Sequence, residues 1–248
     1  MEVILKDNER VDDLQLNNLK IIQNKDGFCF GIDAVLLSDF AKDIRNGSKV
    51  LDLGTGTGII ATLLCAKTNL SKIYGVDIQK DVCDMASRSI KLNNLEDKFE
   101  IINSNIKDLN NIFEDASFDA IVSNPPYKKD NSGLKNEAES RLISRHEITA
   151  NLEDFICTSS KLLKNNGNIY MVHRPERLSD LFYLLKKYNL EPKKLRMVQS
   201  YMDTNPKLIL VKATKNAKSF LNIEEPLIIY NKDGSYTDEI FKIYGKGE

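Results

Sequence analysis

Cysteine and histidine are scarce in this chain, with four and two residues respectively out of 248. Cys29, Cys65, Cys83 and Cys157 are scattered, with no C-x-x-C pair and no neighbouring histidine. Three of them fall in apolar-periodic stretches, which points to free thiols in a reducing cytosol rather than a disulfide frame or a zinc site. With only His146 and His173 available, no His-based metal centre is expected. Long apolar runs are missing as well, so no stretch can span a bilayer, and the opening MEVILKDNER lacks a signal-peptide core. Excess charge is absent too. Thirty-five basic and 36 acidic side chains leave a net −1, which excludes a uniformly basic protein but allows a local basic face. Neither repeats nor low-complexity linkers occur. The chain reads as a soluble cytoplasmic protein, long enough to bury a substantial core. Its oligomeric state stays open, with a monomer favoured.

Strand and helix signals alternate along most of the length. KVLDLG (49–54) is an apolar strand running into glycines, IIATLLCAKT (59–68) has helical spacing, and KIYGVDI (72–78) is a second strand. KDVCDMASRSIKLNN (80–94) is an amphipathic helix, and FEIINSN (99–105) and FDAIVSN (118–124) are the third and fourth strands. LEDFICTSSKLLKNNG (152–167) predicts a helix capped by Asn-Asn-Gly, followed by strand NIYMVH (168–173) and helix RLSDLFYLLKKYN (177–189). KKLRMVQS (193–200) and KLILVKATK (207–215) predict an antiparallel closing pair. The expected fold is α/β, with a mostly parallel seven-stranded sheet and helices on both faces. Residues 48–215 form the core domain, flanked by extensions 1–47 and 216–248. In such sheets ligands bind beyond the carboxyl ends of the strands, and GTGTG, VDIQ and NPPY all fall there.

Each of the three punctuation points suggests a chemistry. In Asp52-Leu53-Gly54-Thr55-Gly56-Thr57-Gly58 the glycines permit positive φ and let a ligand approach the backbone. A nicotinamide dinucleotide fingerprint would place its third glycine at 59, where this chain has Ile59. Asp77 ends the second strand about twenty residues downstream, where a carboxylate can take both hydroxyls of a ribose or simply stand solvated. Asn105 follows the third strand and either meets an adenine edge or serves as a turn residue. Asn124-Pro125-Pro126-Tyr127 leaves the fourth strand as a stiff, extended loop, because proline fixes φ and disfavours helix at the residue before it.

Taken together, VLDLGTGTGII, GVDI and IVSNPPY resemble the class I S-adenosylmethionine-dependent methyltransferases, on the branch that methylates amino groups held on planar systems. The resemblance implies a Rossmann-like fold, S-adenosyl-L-methionine as methyl donor and S-adenosyl-L-homocysteine as product. It implies that Asp52, Gly54, Thr55, Gly56, Gly58, Asp77, Ile78, Asn105 and Asn124 contact the cofactor. An amine conjugated with an adenine ring is a poor nucleophile. The side-chain oxygen of Asn124 and the carbonyl of Pro125, stiffened by Pro126, would draw on its N–H groups and localise the lone pair. Tyr127 would stack on the base. Positioning then matters more than a strong base.

Outside the core, KIIQNKDGFCFGIDAVLLSDFA, SRHEIT (144–149) and LIIYNKDGSYTDEIFKIYG are similar to the YfiC/YabB-like tRNA(Val) adenine-37 N6-methyltransferases. That similarity implies a tRNA partner held at its anticodon arm. It implies that Phe30, Gly31 and Asp33 border the cofactor, the extension 1–47 packing on that site, and that Arg145 and His146 lie near the target nucleotide. The plainer readings are core aromatics at Phe28 and Phe30, a helix cap at Asp33 and a surface pair at 145–146. Lys128 and Lys129 flank the Asn-Pro-Pro-Tyr loop. Lys193 and Lys194 open a run to residue 219 in which seven cations meet one acid, Asp203, so the set suggests a phosphate-contacting face. The alternative substrates are a release-factor glutamine or another rRNA or DNA amino group. Release-factor enzymes carry a longer helical region before the glycine turn, and no dedicated DNA-recognition segment is visible.

Overall fold

The computed structural model describes residues 4–25, 31–127 and 150–246. An antiparallel hairpin, β1 (Glu9–Asp13) and β2 (Lys20–Asn24), precedes α1 (Ile32–Phe40). Strands and helices then alternate: β3 (Lys49–Leu53), α2 (Ile59–Lys67), β4 (Lys72–Asp77), α3 (Lys80–Leu92), β5 (Phe99–Asn103) and β6 (Phe118–Ser123). After residue 150 come α4 (Leu152–Leu162), β7 (Leu163–His173), α5 (Leu178–Lys187), β8 (Leu190–Gln199), β9 (Leu208–Lys215), β10 (Asn222–Ile228) and α6 (Asp238–Ile243). The main sheet runs β10-β8-β9-β7-β6-β3-β4-β5, parallel except where β9 pairs antiparallel with β7 and β8.

Side chains on a strand alternate between faces, and that period splits the core in two. Val50, Ala120, Val122, Tyr170, Val172 and Leu210 pack towards α1, α2 and the hairpin. Leu51, Leu53, Ile121, Ile169, Met171 and Val211 pack towards α4 and α5. The hairpin is tied to α3. Ile22 N donates to Ser89 Oγ at 2.9 Å, and the Arg88 guanidinium grips both oxygens of the buried Glu9 at 2.5 and 2.6 Å. Among the described residues no helix is long and apolar enough to cross a membrane.

The structure differs from the expected fold at two points. The sheet has eight strands, not seven, because β10 from the C-terminal extension adds in parallel to β8. Its sequence NIEEPLI hides this, since Pro226 lacks an amide hydrogen and the register shifts between Glu224 and Leu227. Only an edge strand tolerates that interruption. The second difference is the end of α4. The helix stops at Leu162, and Asn165-Asn166-Gly167 lie within β7 rather than capping a helix. Asn166 takes φ 60, and a Cβ on Gly167 would sit 2.9 Å from Lys164 O and 3.1 Å from Asp119 O. These residues make a bulge against β6, where the register shifts between Phe118 and Ala120.

Candidate active site

The carboxyl ends of the parallel strands are level, and this puts three loops side by side. Leu53 pairs with both Val76 and Ser123, so Gly54, Asp77 and Asn124 leave the sheet at nearly one height. A cavity opens there, lined by Gly54, Asp77, Ile78, Asn105, Ile106, Pro126, Ala150 and Phe155.

The floor of the cavity is the glycine turn. Gly54, Gly56 and Gly58 adopt φ of 72, 57 and 86°, which a side chain would resist. A Cβ on Gly54 would lie 3.3 Å from the Phe155 ring, in the wall of the cavity. Two residues expected at the cofactor face the other way. Asp52 is fully buried beneath the turn, its Oδ2 accepting from Thr55 Oγ1 at 2.7 Å, and Thr55 is buried with it. The other Asp52 oxygen faces the Ala61 amide without reaching hydrogen-bond geometry. Burial pushes this carboxyl up to about 7, tempered by the Thr55 hydroxyl. Both side chains therefore shape the turn from below, and the backbone of the turn is what meets the cavity.

Asp77 braces the turn from the side. Its Oδ2 accepts from Gly56 N at 3.0 Å and its Oδ1 from Gln79 N at 2.9 Å, which holds the carboxylate at the cavity wall. Asn105 lines the same wall while its Oδ1 accepts from Lys107 N at 3.0 Å, capping a short 3-10 turn. The plainer turn role is thus present, and it leaves the residue at the cavity.

The Asn-Pro-Pro-Tyr loop closes the opposite side. Asn124 Nδ2 donates to Asp33 Oδ2 at 2.9 Å. The Tyr127 hydroxyl stands 2.8 Å from the same oxygen and 2.6 Å from Asn124 Oδ1. Pro125 is buried behind them. Burial, with the neighbouring Asp33 charge, raises the Tyr127 hydroxyl far above its ordinary range and keeps it protonated. The Tyr127 ring rests 5.3 Å from the His173 ring, and the Arg174 guanidinium lies over it at 5.1 Å. His173 is fully buried at the end of β7. Its Nδ1 accepts from Arg174 N at 2.8 Å, and burial, with Arg177 and Arg174 nearby, lowers it to about 4. Neither His173 nor Arg174 was signalled by a motif; only their position at the carboxyl end of the fifth core strand marks them.

Gly31 precedes α1 and Asp33 lies in its first turn, and the structure joins Asp33 to the loop rather than to the cavity. Phe30, Lys128, Lys129, Arg145 and His146 lie outside the described residues. The basic run is the clearest departure from the sequence reading. Lys194 stands 3.5 Å from Asp43 and 3.4 Å from Glu224, Lys212 is 2.8 Å from Asp43, and Arg196 is 2.7 Å from Glu239. Lys193 donates to Lys218 O and covers the Phe220 ring. Counting acids along the chain missed partners brought in from α6, β10 and the segment after α1.

Three comparisons bear on this geometry. Residues 30–188 match the family model described as the methyltransferase small domain. The tRNA1(Val) (adenine(37)-N6)-methyltransferase of Porphyromonas gingivalis is 31% identical over 220 residues, 86% of each chain. That of Parabacteroides distasonis is 32% identical over 82% of this chain and 85% of its own. Among solved structures, a protein described as a predicted O-methyltransferase from Agrobacterium tumefaciens superposes with a TM-score of 0.70 at 18% identity, covering 87% of this chain and 97% of its own. The T. thermophilus 16S rRNA N2 G1207 methyltransferase, solved with AdoMet and guanosine, does so at 0.59 and 16%, over 86% and 52%. The chain thus belongs to the methyltransferase small-domain family, on the branch of the tRNA1(Val) (adenine(37)-N6)-methyltransferases.

Proposed function

We propose that this protein is a cytoplasmic enzyme that methylates the N6 amine of adenine 37, beside the anticodon of tRNA(Val). The carrying observation is a shortage of protons beside Asn124. One hydroxyl hydrogen, on Tyr127, faces two acceptor oxygens, Asn124 Oδ1 at 2.6 Å and Asp33 Oδ2 at 2.8 Å, and can serve only one of them. Such a cluster is complemented by a group that brings N–H donors, and an exocyclic amine is one. Accepting from it at Asn124 Oδ1 draws the nitrogen lone pair out of conjugation and aims it.

The cavity fits S-adenosyl-L-methionine. Side chains are missing where the glycines turn, a carboxylate waits at Asp77, and Phe155 offers an apolar wall. When bound, that cofactor supplies a methyl group on a positively charged sulfur. Asp77 keeps lone pairs beyond its two amide bonds and would accept from the ribose hydroxyls. Asn105 and Ile78 would border the adenine, and Pro126 would separate cofactor from substrate. Arg174, over the Tyr127 ring, would meet the tRNA backbone or stack on a neighbouring base. His173, held neutral by burial, seats the tyrosine without adding charge. The names of the relatives supply the choice of tRNA(Val) and position 37.

Incubation with labelled S-adenosylmethionine and either total tRNA or release factor tests the reading. Label recovered as N6-methyladenosine at position 37 of tRNA(Val) is expected. Labelled release factor with silent tRNA would overturn it.

A further inference from the structure

We infer that Asp33 is a positioning residue for methyl transfer, acting by fixing which end of the Asn124 amide faces the substrate. The inference rests on the proposed amine-methylating function and deepens it.

An asparagine amide can sit in either of two orientations with nearly the same shape, and only one presents its oxygen to an incoming amine. Something must therefore select the orientation. A carboxylate has no hydrogen to offer, so the amide edge that faces Asp33 at 2.9 Å has to be the nitrogen. The oxygen is then turned away from Asp33, towards the Tyr127 hydroxyl. Asp33 itself is fixed. Its Oδ1 accepts from Ala34 N at 3.0 Å, its Oδ2 takes Asn124 and Tyr127, and the residue is 8% exposed. Gly31 makes room for this, since a Cβ there would stand 2.6 Å from Asp33 Oδ1. Beyond its own helix, the side-chain partners of Asp33 are Asn124 and Tyr127, both in the Asn-Pro-Pro-Tyr loop. A single carboxylate on α1 thus sets the polarity of a loop ninety-one residues downstream.

The decisive experiment reverses the polarity of the pair. Asp33→Ala should lower kcat roughly 10- to 100-fold, the loss expected for one charge-assisted hydrogen bond, with the Kd for S-adenosylmethionine within about twofold. Asn124→Asp places two carboxylates together and should be less active still. Adding Asp33→Asn to Asn124→Asp supplies an amide to the new carboxylate and should restore at least about tenfold of that activity. Independently of any methyl acceptor, the Asn124 side-chain amide, assigned by its loss in Asn124→Ala, should give hydrogen-bonded, exchange-protected NMR signals that vanish in Asp33→Ala. A weakened cofactor Kd with unchanged kcat in Asp33→Ala, no recovery in the double variant, or unprotected Asn124 signals in the wild-type protein would each overturn the inference. Failure of tRNA to accept methyl while those signals are protected would overturn the proposed substrate and leave the Asp33 assignment supported.

Discussion

Asp77 lines the cavity while Asn124 belongs to the loop whose Pro126 closes it, and they should fail in different ways. Asp77→Ala removes the proposed ribose acceptor and a brace on Gly56 N. Calorimetry should show S-adenosylmethionine binding weakened by roughly 1.5–3 kcal/mol in a folded variant. Asn124→Ala leaves the turn intact, so turnover should fall by orders of magnitude while cofactor affinity barely moves. Asp52 yields a different test, because its carboxyl titrates near neutrality in the fold. Its pKa is raised above the unfolded value, so its contribution to stability is complete below about pH 4 and is lost as pH rises through about 7. Asp52→Asn cannot ionise. Its unfolding free energy, measured with urea, should gain on that of the wild type by about 2–3 kcal/mol between about pH 5 and pH 8.

Legibility at the level of elements followed how local the determining interaction is. The glycine turn could be read directly, since positive φ at three alternate positions requires that residue type. Gly58 illustrates the constraint: at φ 86 a Cβ would also lie 3.1 Å from the Phe99 ring. Gly58→Ala should therefore cost about 1–3 kcal/mol, visible as a lower urea midpoint with an unchanged slope. The antiparallel closing pair was readable as two short apolar runs with a brief polar connection, although residues 208–211 of β9 are buried in succession and the register of β8 shifts between Pro192 and Lys194. The inward turn of Asp52 and Thr55 was not, because a motif names the residues of a loop without saying which side of it they face. Nor was the link from Asp33 to Asn124, which depends on how α1 packs against the end of β6. The strand β10 escaped because Pro226 and two glutamates break its pattern, and its place is decided by β8.

For the molecule as a whole, charge is the property that the linear reading rendered least well. The basic run from 193 to 218 seemed open to phosphate, yet folding delivers Asp43, Glu224 and Glu239 to it. If tRNA binds through phosphates, its affinity falls with salt in proportion to the counterions released. A lysine already neutralised inside the protein contributes little to that slope. Lys194→Ala should leave the slope of log K against log salt almost unchanged, whereas loss of a phosphate-contacting cation would remove about 0.7–0.9. Arg174→Ala, at the proposed site, should show the larger change. Filter binding over a salt series compares the two directly.

The layer formed by α1 and α2 is sealed by parts from both extensions. Leu14, Leu19 and Ile21 reach it from the hairpin, Ile240 and Ile243 from α6, and Lys246 Nζ meets Gln15 Oε1. In kinetic terms the Lys246–Gln15 contact closes a loop of 231 residues, and closing it yields contacts only after the sheet between has formed. A refolding molecule should therefore pass through a stage with the sheet assembled and one apolar face still wet. Pulse-labelled hydrogen exchange would see amides of β3 and β6 protected before those of α6. Until α6 docks, that face is what a chaperone would hold.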